Sequence, residues 1–302
     1  MLNKVRLMPA HLQSKVINTA WYKLVPIACA ILWLLYANAT QDSLSDLMQS
    51  ALSSALGVVG AIFANLSGAG GGVVFIPVFA QLGFSEAQSV STSFAIQCFG
   101  MTAGAVTWSM HYRHHHRDNP HWQSFIQVVG VTSALSIAGI WTAQHGEIGA
   151  PSSLAHSFAI FSVILGLSLL AQLYVFKAKI DHHNRLKAGD YIALIAIGFG
   201  GGLITAWLSV GVGELLVLYL IFRGFNTAMA IASAVVVTAI TVWSASPIHL
   251  GQDSFAVWDV AMYAGPAAII GGVLAKTLSQ MISTKALKTI LGCWILMMGL
   301  VG

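Results

Sequence analysis

Charged side chains are scarce in this sequence: aspartate, glutamate, lysine and arginine together make up 8% of its 302 residues. A soluble domain carries about 25%, so a globular surface in water cannot be covered from this inventory. Cysteine is sparse too. Cys29, Cys98 and Cys293 each fall inside an apolar segment, which argues against a disulfide framework. No nucleotide-binding loop is present, so ATP is not the expected energy source. What the chain has in quantity is hydrophobic residues, 57% of the total, and apolar runs of about 20 residues recur along most of its length, as hydrocarbon-spanning helices require. The fold class that follows is an all-α polytopic membrane protein. The net charge of +4 carries no implication of nucleic-acid binding, because the basic residues lie between the apolar segments.

The first apolar run, Val25 to Ala39, follows a basic arm of Lys4, Arg6, Lys15 and Lys23 without an evident cleavage site, and reads as a leader transmembrane helix. Further apolar segments cover about 51–82, 87–110, 122–143, 154–176, 190–222, 227–246, 257–275 and 286–302. Two of them, 51–82 and 190–222, are too long for one span, and glycines interrupt both: SGAGGG from Ser67 to Gly72, and SVGVGE from Ser209 to Glu214. The two interruptions align without gaps. Gly70, Gly72, Gly83, Phe84 and Ala87 correspond to Gly211, Gly213, Gly224, Phe225 and Ala228 at a constant offset of 141 residues. Trp122 and Trp258 open matching segments and read as interfacial anchors. Internal repeats of this kind are characteristic of secondary transporters.

The distribution of lysine and arginine discriminates between two topologies. If both interrupted segments cross the membrane, Arg113, Arg117, Lys177, Lys179, Arg185 and Lys187 fall outside. If both are re-entrant, all 14 basic residues are cytoplasmic, and the outer loops hold Asp42, Asp46, Glu86, Glu147 and Asp253. The re-entrant arrangement is therefore expected: residues 1–47 as cytoplasmic arm and leader helix, 48–180 as repeat 1 and 181–302 as repeat 2. Each repeat is one re-entrant hairpin followed by three spans, an odd number, so the repeats are inverted, with a cytoplasmic N-terminus and an external C-terminus. The glycine-rich tips then meet near the midplane, where bare backbone is tolerated only if buried in protein or lining a polar cavity.

At each tip a second half-helix starts, near Val73 and near Glu214. Its first N–H groups lack intrahelical partners and its dipole is positive there. Glycine lets an anion approach those amides without any basic side chain. The expected substrate-binding residues are Asn65, Ser67, Gly68, Gly70, Gly71, Gly72, Thr92 and Ser93 from the first repeat, and Gly211, Gly213 and Ser233 from the second. Ser91 and Ser209 are further hydroxyl candidates, and Gln97 and Cys98 stand along the expected substrate path. Small residues are also what helix packing in membranes selects, and packing is the alternative for each serine taken singly. Glu214 is the one acid placed deep in the membrane. A charged acid at the bilayer centre costs about 2.5–3.5 kcal/mol, so Glu214 reads either as a coupling or gating carboxyl or as a cap on the helix N-terminus. The run HYRHHHR, His111 to Arg117, lacks the ligand spacing of a dedicated metal site and reads as a solvated loop or a weak metal binder. No metal and no cofactor are expected.

These motifs resemble the TauE/SafE family of sulfite and organosulfonate exporters. The resemblance is carried by GAGGGVVFIPVFAQLGFSEAQSVSTS (68–93), GFGGGLITAWLSVGVGELLVLYLIFRGF (198–225) and AIAS (230–233), and covers about 51–302. Glu214 stands where many members have glycine, and Ala232–Ser233–Ala234 replaces Ser91–Thr92–Ser93. The resemblance implies outward transport of sulfite or a short organosulfonate across a bacterial inner membrane, with the lipid bilayer and the anion as partners and room for a homo-oligomer. An inside-negative potential drives a monovalent anion outward by about 2.3 kcal/mol per 100 mV without a coupling ion. The rival expectations are a proton- or cation-coupled uptake permease and an anion channel. An enzyme is not expected, because Glu214 and Cys98 form no acid–base pair.

Overall fold

Two stretches 141 residues apart end one helix and begin the next in the same way. After Gln81, Gly83 adopts φ +80 and Phe84 N donates back to Phe79 O; after Phe222, Gly224 adopts φ +83 and Phe225 N donates back to Leu220 O. Both are glycine-terminated helix ends, in which the left-handed residue lets a following amide satisfy an orphan carbonyl. The next helix is capped at once in each case. Ser85 Oγ accepts from Gln88 N at 3.2 Å, and Asn226 Oδ1 accepts from Met229 N at 3.1 Å. Side-chain oxygens at the N-cap satisfy one of the unpaired amides of the first turn.

The computed structural model describes residues 43–146, 148–174 and 185–301, with scattered positions between 31 and 39. The leader helix, the basic arm, Cys29, Asp42, Glu147, Lys177 and Lys179 lie outside the described residues for all or most of their length. The chain divides into two units, 1–49 and 50–302. The described part of the first is the start of a helix, where Ser43 Oγ accepts from Asp46 N at 3.2 Å and donates to Asp46 Oδ2 at 2.7 Å.

Every regular element among the described residues is helical. In chain order they are α1 (Leu44–Ser67), α2 (Gly72–Gln81), α3 (Glu86–His111), α4 (Phe125–His145), α5 (Leu154–Tyr174), α6 (Ala188–Leu208), α7 (Val212–Phe222), α8 (Thr227–His249), α9 (Trp258–Met281) and α10 (Thr284–Val301). A π-turn at Tyr112–His116 extends α3, and a 3-10 turn at Pro120–Trp122 precedes α4. Six segments among the described residues are long and apolar enough to cross a bilayer: α1, Pro120–His145, Leu154–Ala171, α6, α8 and α9. Many of their large apolar side chains face outward, among them Leu52, Ile126, Ile164, Ile192 and Ile270, as lipid contact demands. The chain is a multi-pass membrane protein.

Glycine sets the helix–helix distances. Gly139 lies against Phe199 backbone, Gly202 against Ser136 and Ile140, Gly271 against Val58 and Ile62, and Gly272 against Gly100 and Gly104. Small residues at such crossings let backbones approach closely in lipid. The pattern of neighbours has an internal order. Adding five to each label, with α6–α10 returning to α1–α5, turns α3–α9 into α8–α4, α2–α3 into α7–α8 and α5–α7 into α10–α2, while α3–α8 and α5–α10 map onto themselves; all of these pairs are packed. The pairs α4–α6 and α5–α6 have counterparts in Gly57 of α1 against Ala264 of α9, and in Phe63 of α1 stacked 5.4 Å from Trp294 of α10.

Contacts between helix ends sort the loops into two groups. Ala155 N donates to Glu86 Oε1 at 3.1 Å, Ser91 bonds His249, and Val257 N donates to Thr92 Oγ1. At the opposite ends, Arg185 Nε donates to Gln123 Oε1 at 3.3 Å, and Tyr174 OH lies 2.9 Å from Thr289 Oγ1. Trp122 belongs to this second group, but it is buried rather than interfacial, with the His116 ring stacked on it at 4.6 Å. Burial, then the charges of His115 and Lys276, hold the His116 imidazole below its ordinary range.

The base of α6–α7 is held by a charged cluster the sequence pattern did not reveal. Asp190, buried at the start of α6, accepts from Arg223 Nε at 2.7 Å, from Tyr219 OH at 2.6 Å and from Lys187 N at 2.8 Å. Arg223→Ala leaves that carboxylate without its cation. Because the guanidinium is about one-third exposed (34%), the expected loss is nearer about 2 kcal/mol than the 3–5 of a fully buried pair. A lowered unfolding temperature in detergent, restored in part by Arg223→Lys, checks it.

Candidate functional site

The site is built where α1 gives way to α2 and α6 to α7. At the end of α1, Ser67 Oγ donates to Phe63 O at 2.7 Å and accepts from Ala69 N at 3.0 Å, and Gly68 turns the chain with φ +77. The equivalent residue after α6 is Ser209, with φ +58, the one non-glycine in the left-handed region among the described residues. That conformation costs an L-residue about 1–2 kcal/mol. Its retention here coincides with a specific use of the hydroxyl, described below.

The two breaks lie against each other. A Cβ on Gly72 would stand 2.5 Å from Ser209 O, and one on Gly213 would stand 2.5 Å from Gly68 O and against Thr238 Oγ1. Neither position admits even a methyl group without a backbone shift. The contact brings the N-termini of α2 and α7 together, level with Gln97 in the middle of α3.

Helix geometry leaves the first amides of α2 and α7 without partners. Three of those amides at the junction, and that of Gly70 just before α2, are satisfied by side chains. Gly70 N donates to Glu214 Oε1 at 2.7 Å and Gly211 N to Glu214 Oε2 at 2.7 Å, so one carboxylate bridges both breaks. Gly71 N donates to Gln97 Oε1 at 2.8 Å, and Val212 N to Thr205 Oγ1 at 3.0 Å. Gln97 Nε2 faces Ser209 Oγ at 2.8 Å, Ser93 Oγ at 3.0 Å and Ser209 O at 3.3 Å, and Ser209 Oγ donates to Ser93 Oγ at 2.9 Å. Glu214, Gln97, Ser93 and Ser209 are all buried. The only ion pair among the described residues is Arg223–Asp190, so the Glu214 carboxyl faces amides and helix N-termini and no cation. A crevice reaching Gly71 and Gln97, walled by Ala61, Phe75, Met101 and Ala268, is too narrow for a water molecule.

The family follows from comparison of the whole chain. The family model described as sulfite exporter TauE/SafE matches residues 53–301. The chain belongs to this family. No curated protein and no solved structure matches it. The match takes in both breaks and begins within α1, and the family it places the chain in is one of membrane transporters.

The structure brings together part of the expected site and distributes the rest. Gly68, Gly70, Gly71, Gly72, Gly211 and Gly213 form the junction, with Ser93, Gln97, Ser209 and Glu214 against them. Ser67 shapes the turn but spends its hydroxyl on its own helix. Asn65 faces α3, where Nδ2 donates to Ala61 O at 2.8 Å and Gly100 O at 3.2 Å, while Oδ1 is buried without a partner. Thr92 and Ser233 are not in the junction. Thr92, one residue from Ser93, points to another side of α3 and caps α9 through Val257 N; Ser233 Oγ turns to Met229 Sδ at 3.4 Å on its own helix. Cys98 also faces away, into an apolar cluster with Val90, Phe94, Ile140, Val242 and Ala245. Missing from the expectation were Thr205, which caps α7, and Thr238, which faces Gly213. Among the described residues no three histidine, cysteine or acidic side chains gather as a metal site, the His111–His116 run included.

Proposed function

We propose that this protein is a secondary transporter of the bacterial inner membrane that carries a small sulfur oxyanion, sulfite or a short organosulfonate, outward through the junction of the two broken helices. The observation that carries this reading is the meeting of two helix N-termini whose amides at Gly70, Gly71, Gly211 and Val212 all face oxygen acceptors. That is the donor set of an anion site, and it contains no lysine or arginine to hold the anion against release. The family described as sulfite exporter supports the substrate class.

In this reading the chain folds as repeats 48–180 and 181–302 of inverted topology, each a re-entrant hairpin with three spans. The exchange symmetry of the helix neighbours supports it. So does the distribution of charge: the loops and helix ends grouped with Gln123 and Tyr174 carry Arg113, Arg117, Arg185, Lys187, Arg223 and Lys276, whereas those grouped with Glu86 carry acids and no lysine or arginine. The first group is cytoplasmic by the positive-inside rule. Release on either side then requires the hairpins to part from α3 and α8 alternately, since the crevice that reaches Gly71 and Gln97 is too narrow for water as it stands.

Purified protein in liposomes, loaded with sulfite, thiosulfate, taurine, sulfoacetate or acetate, tests the proposal under a potential negative on the cytoplasmic face. Efflux of one sulfur anion that saturates, shows counterflow and disappears in Gly70→Leu and Gly213→Leu supports it. Flux that rises linearly with concentration makes the protein a channel. Flux that runs only against the potential and only with a proton gradient makes it a coupled uptake permease, the reading that Glu214 in the junction favours.

A further inference from the structure

A carboxylate that receives one amide from each of two helix N-termini reproduces what a bound oxyanion does. Oε1 and Oε2 of Glu214 take Gly70 N and Gly211 N, both at 2.7 Å, as two oxygens on a single sulfur would. A second observation points to a ligand at the same place. Thr238 Oγ1 on α8 is buried, has no hydrogen-bond partner, and lies against the place a Cβ on Gly213 would take, so a hydroxyl is aimed at the first turn of α7 and left unused. Buried hydroxyls are rarely left so. The side chain of Glu214 thus fills the amides, while one neighbouring donor has nothing to bind.

We propose that Glu214 is a tethered competitor for the transported anion: carboxylate and anion exclude one another from the amides of Gly70 and Gly211, and the carboxylate takes one proton from water as the anion displaces it. The proposal rests on the reading that the anion binds at the junction. Two negative charges side by side in a water-free site repel strongly, and protonation of the displaced side chain removes one of them. The proton has no other evident home there. Gln97, Ser93, Ser209 and Thr205, which surround the junction, are neutral. Beyond Ser50, α1 carries no titratable side chain, and α2 carries none. On α3, Cys98 lies in an apolar cluster, and Glu86 and His111 stand at its two ends. On α6 and α7, Asp190, Tyr219 and the following Arg223 are bound to each other, and Tyr191 adjoins them in sequence. On α8, His249 is held by Ser91 and Gln144; on α5, His156 lies in the first turn.

The test is anion binding by isothermal titration to the full chain in nanodiscs, wild type beside Glu214→Gln. Thiosulfate and methanesulfonate, anions of strong acids, keep their charge from about pH 6 to about pH 8, so a pH dependence belongs to the protein. The wild type should lose affinity towards alkaline pH, approaching about tenfold per unit. Glu214→Gln should bind with a flat profile and, at about pH 8, at least about tenfold more tightly than the wild type. Should that variant fail to fold, thiosulfate added to the wild type in weak buffer should take up one proton per anion bound. Thr238→Val should weaken binding while preserving the pH profile. Equal affinity and equal pH profile in the wild type and Glu214→Gln, or no proton uptake, overturns the competition and leaves Glu214 a helix cap. Chloride and nitrate run in parallel separate the two readings. If they alone show the Glu214-dependent profile, the sulfur assignment falls and the competition stands; if no anion binds either protein, both fall.

Discussion

Gln97→Glu should reduce anion flux by more than about 100-fold in a protein that still assembles, because it changes charge and donors at the junction while conserving shape. The new carboxylate still accepts from Gly71 N, as Gln97 Oε1 does at 2.8 Å. It loses the amide that faces Ser209 O, Ser209 Oγ and Ser93 Oγ; Ser93 regains a partner by donating to it, while Ser209 Oγ keeps its bond to Ser93. The larger effect is electrostatic. A Cβ on Gly70 would lie 3.1 Å from Gln97 Oε1 and 3.5 Å from Glu214 Oε1, so the two side-chain oxygens flank one glycine. A second negative charge about 4 Å from an approaching anion opposes it by about 4 kcal/mol at an effective dielectric of 20. Even when partial protonation and relaxation halve that figure, about 2 kcal/mol lies between ten- and hundredfold, and the lost amide donor adds to it. Gln97→Leu makes the informative contrast. It strands Gly71 N and Ser209 O in the interior, at about 1–3 kcal/mol each, so it costs stability but places no second charge at the junction. Flux in liposomes beside unfolding temperature in detergent separates the two. Glutamate retaining flux within about threefold would place the substrate route elsewhere.

The positions of the breaks were legible because they conflict with their surroundings. Gly68 to Gly72 and Ser209 to Gly213 interrupt segments otherwise suited to a helix, and the constant offset makes the conflict double. The same offset marked Gly83 and Gly224, whose left-handed turns end α2 and α7. What could not be read was which side of each helix faces the junction. In α3 and α8 apolar and small polar residues run all the way round, so no amphipathic period distinguishes Ser93, which reaches Ser209, from Thr92, which caps α9, or from Cys98. Glu214 was legible as an acid out of place, but not as a bridge to Gly70, 144 residues away in the chain. Ser209 was legible as part of the break and as a hydroxyl candidate, but not as a residue of positive φ, a conformation that its residue type does not signal. The reason for serine there is the hydroxyl between Gln97 and Ser93, a tertiary contact with no local signature.

Gly213→Ala should abolish transport although it adds one methyl group, and Gly83→Ala should leave transport largely intact although its backbone is strained. At Gly213 the added carbon would stand 2.5 Å from Gly68 O, a backbone atom of the opposite break, and against Thr238 Oγ1. No rotamer change relieves contact with a carbonyl, so the breaks must separate. Separation lengthens the two 2.7 Å bonds that join them through Glu214. Overpacking of this kind costs about 1–3 kcal/mol of stability, while displacement of a binding amide by a fraction of an ångström is felt directly in affinity. Gly72→Ala meets Ser209 O at 2.5 Å from the other direction and should behave alike. At Gly83 a Cβ meets nothing within 4 Å, and the whole penalty is the left-handed φ of +80, about 1–2 kcal/mol. The two substitutions are therefore comparable in stability and opposite in flux. Matched unfolding temperatures with transport lost only in Gly213→Ala and Gly72→Ala tie function to contact between the breaks; equal transport in all three variants means the close approach of the two N-termini serves packing alone.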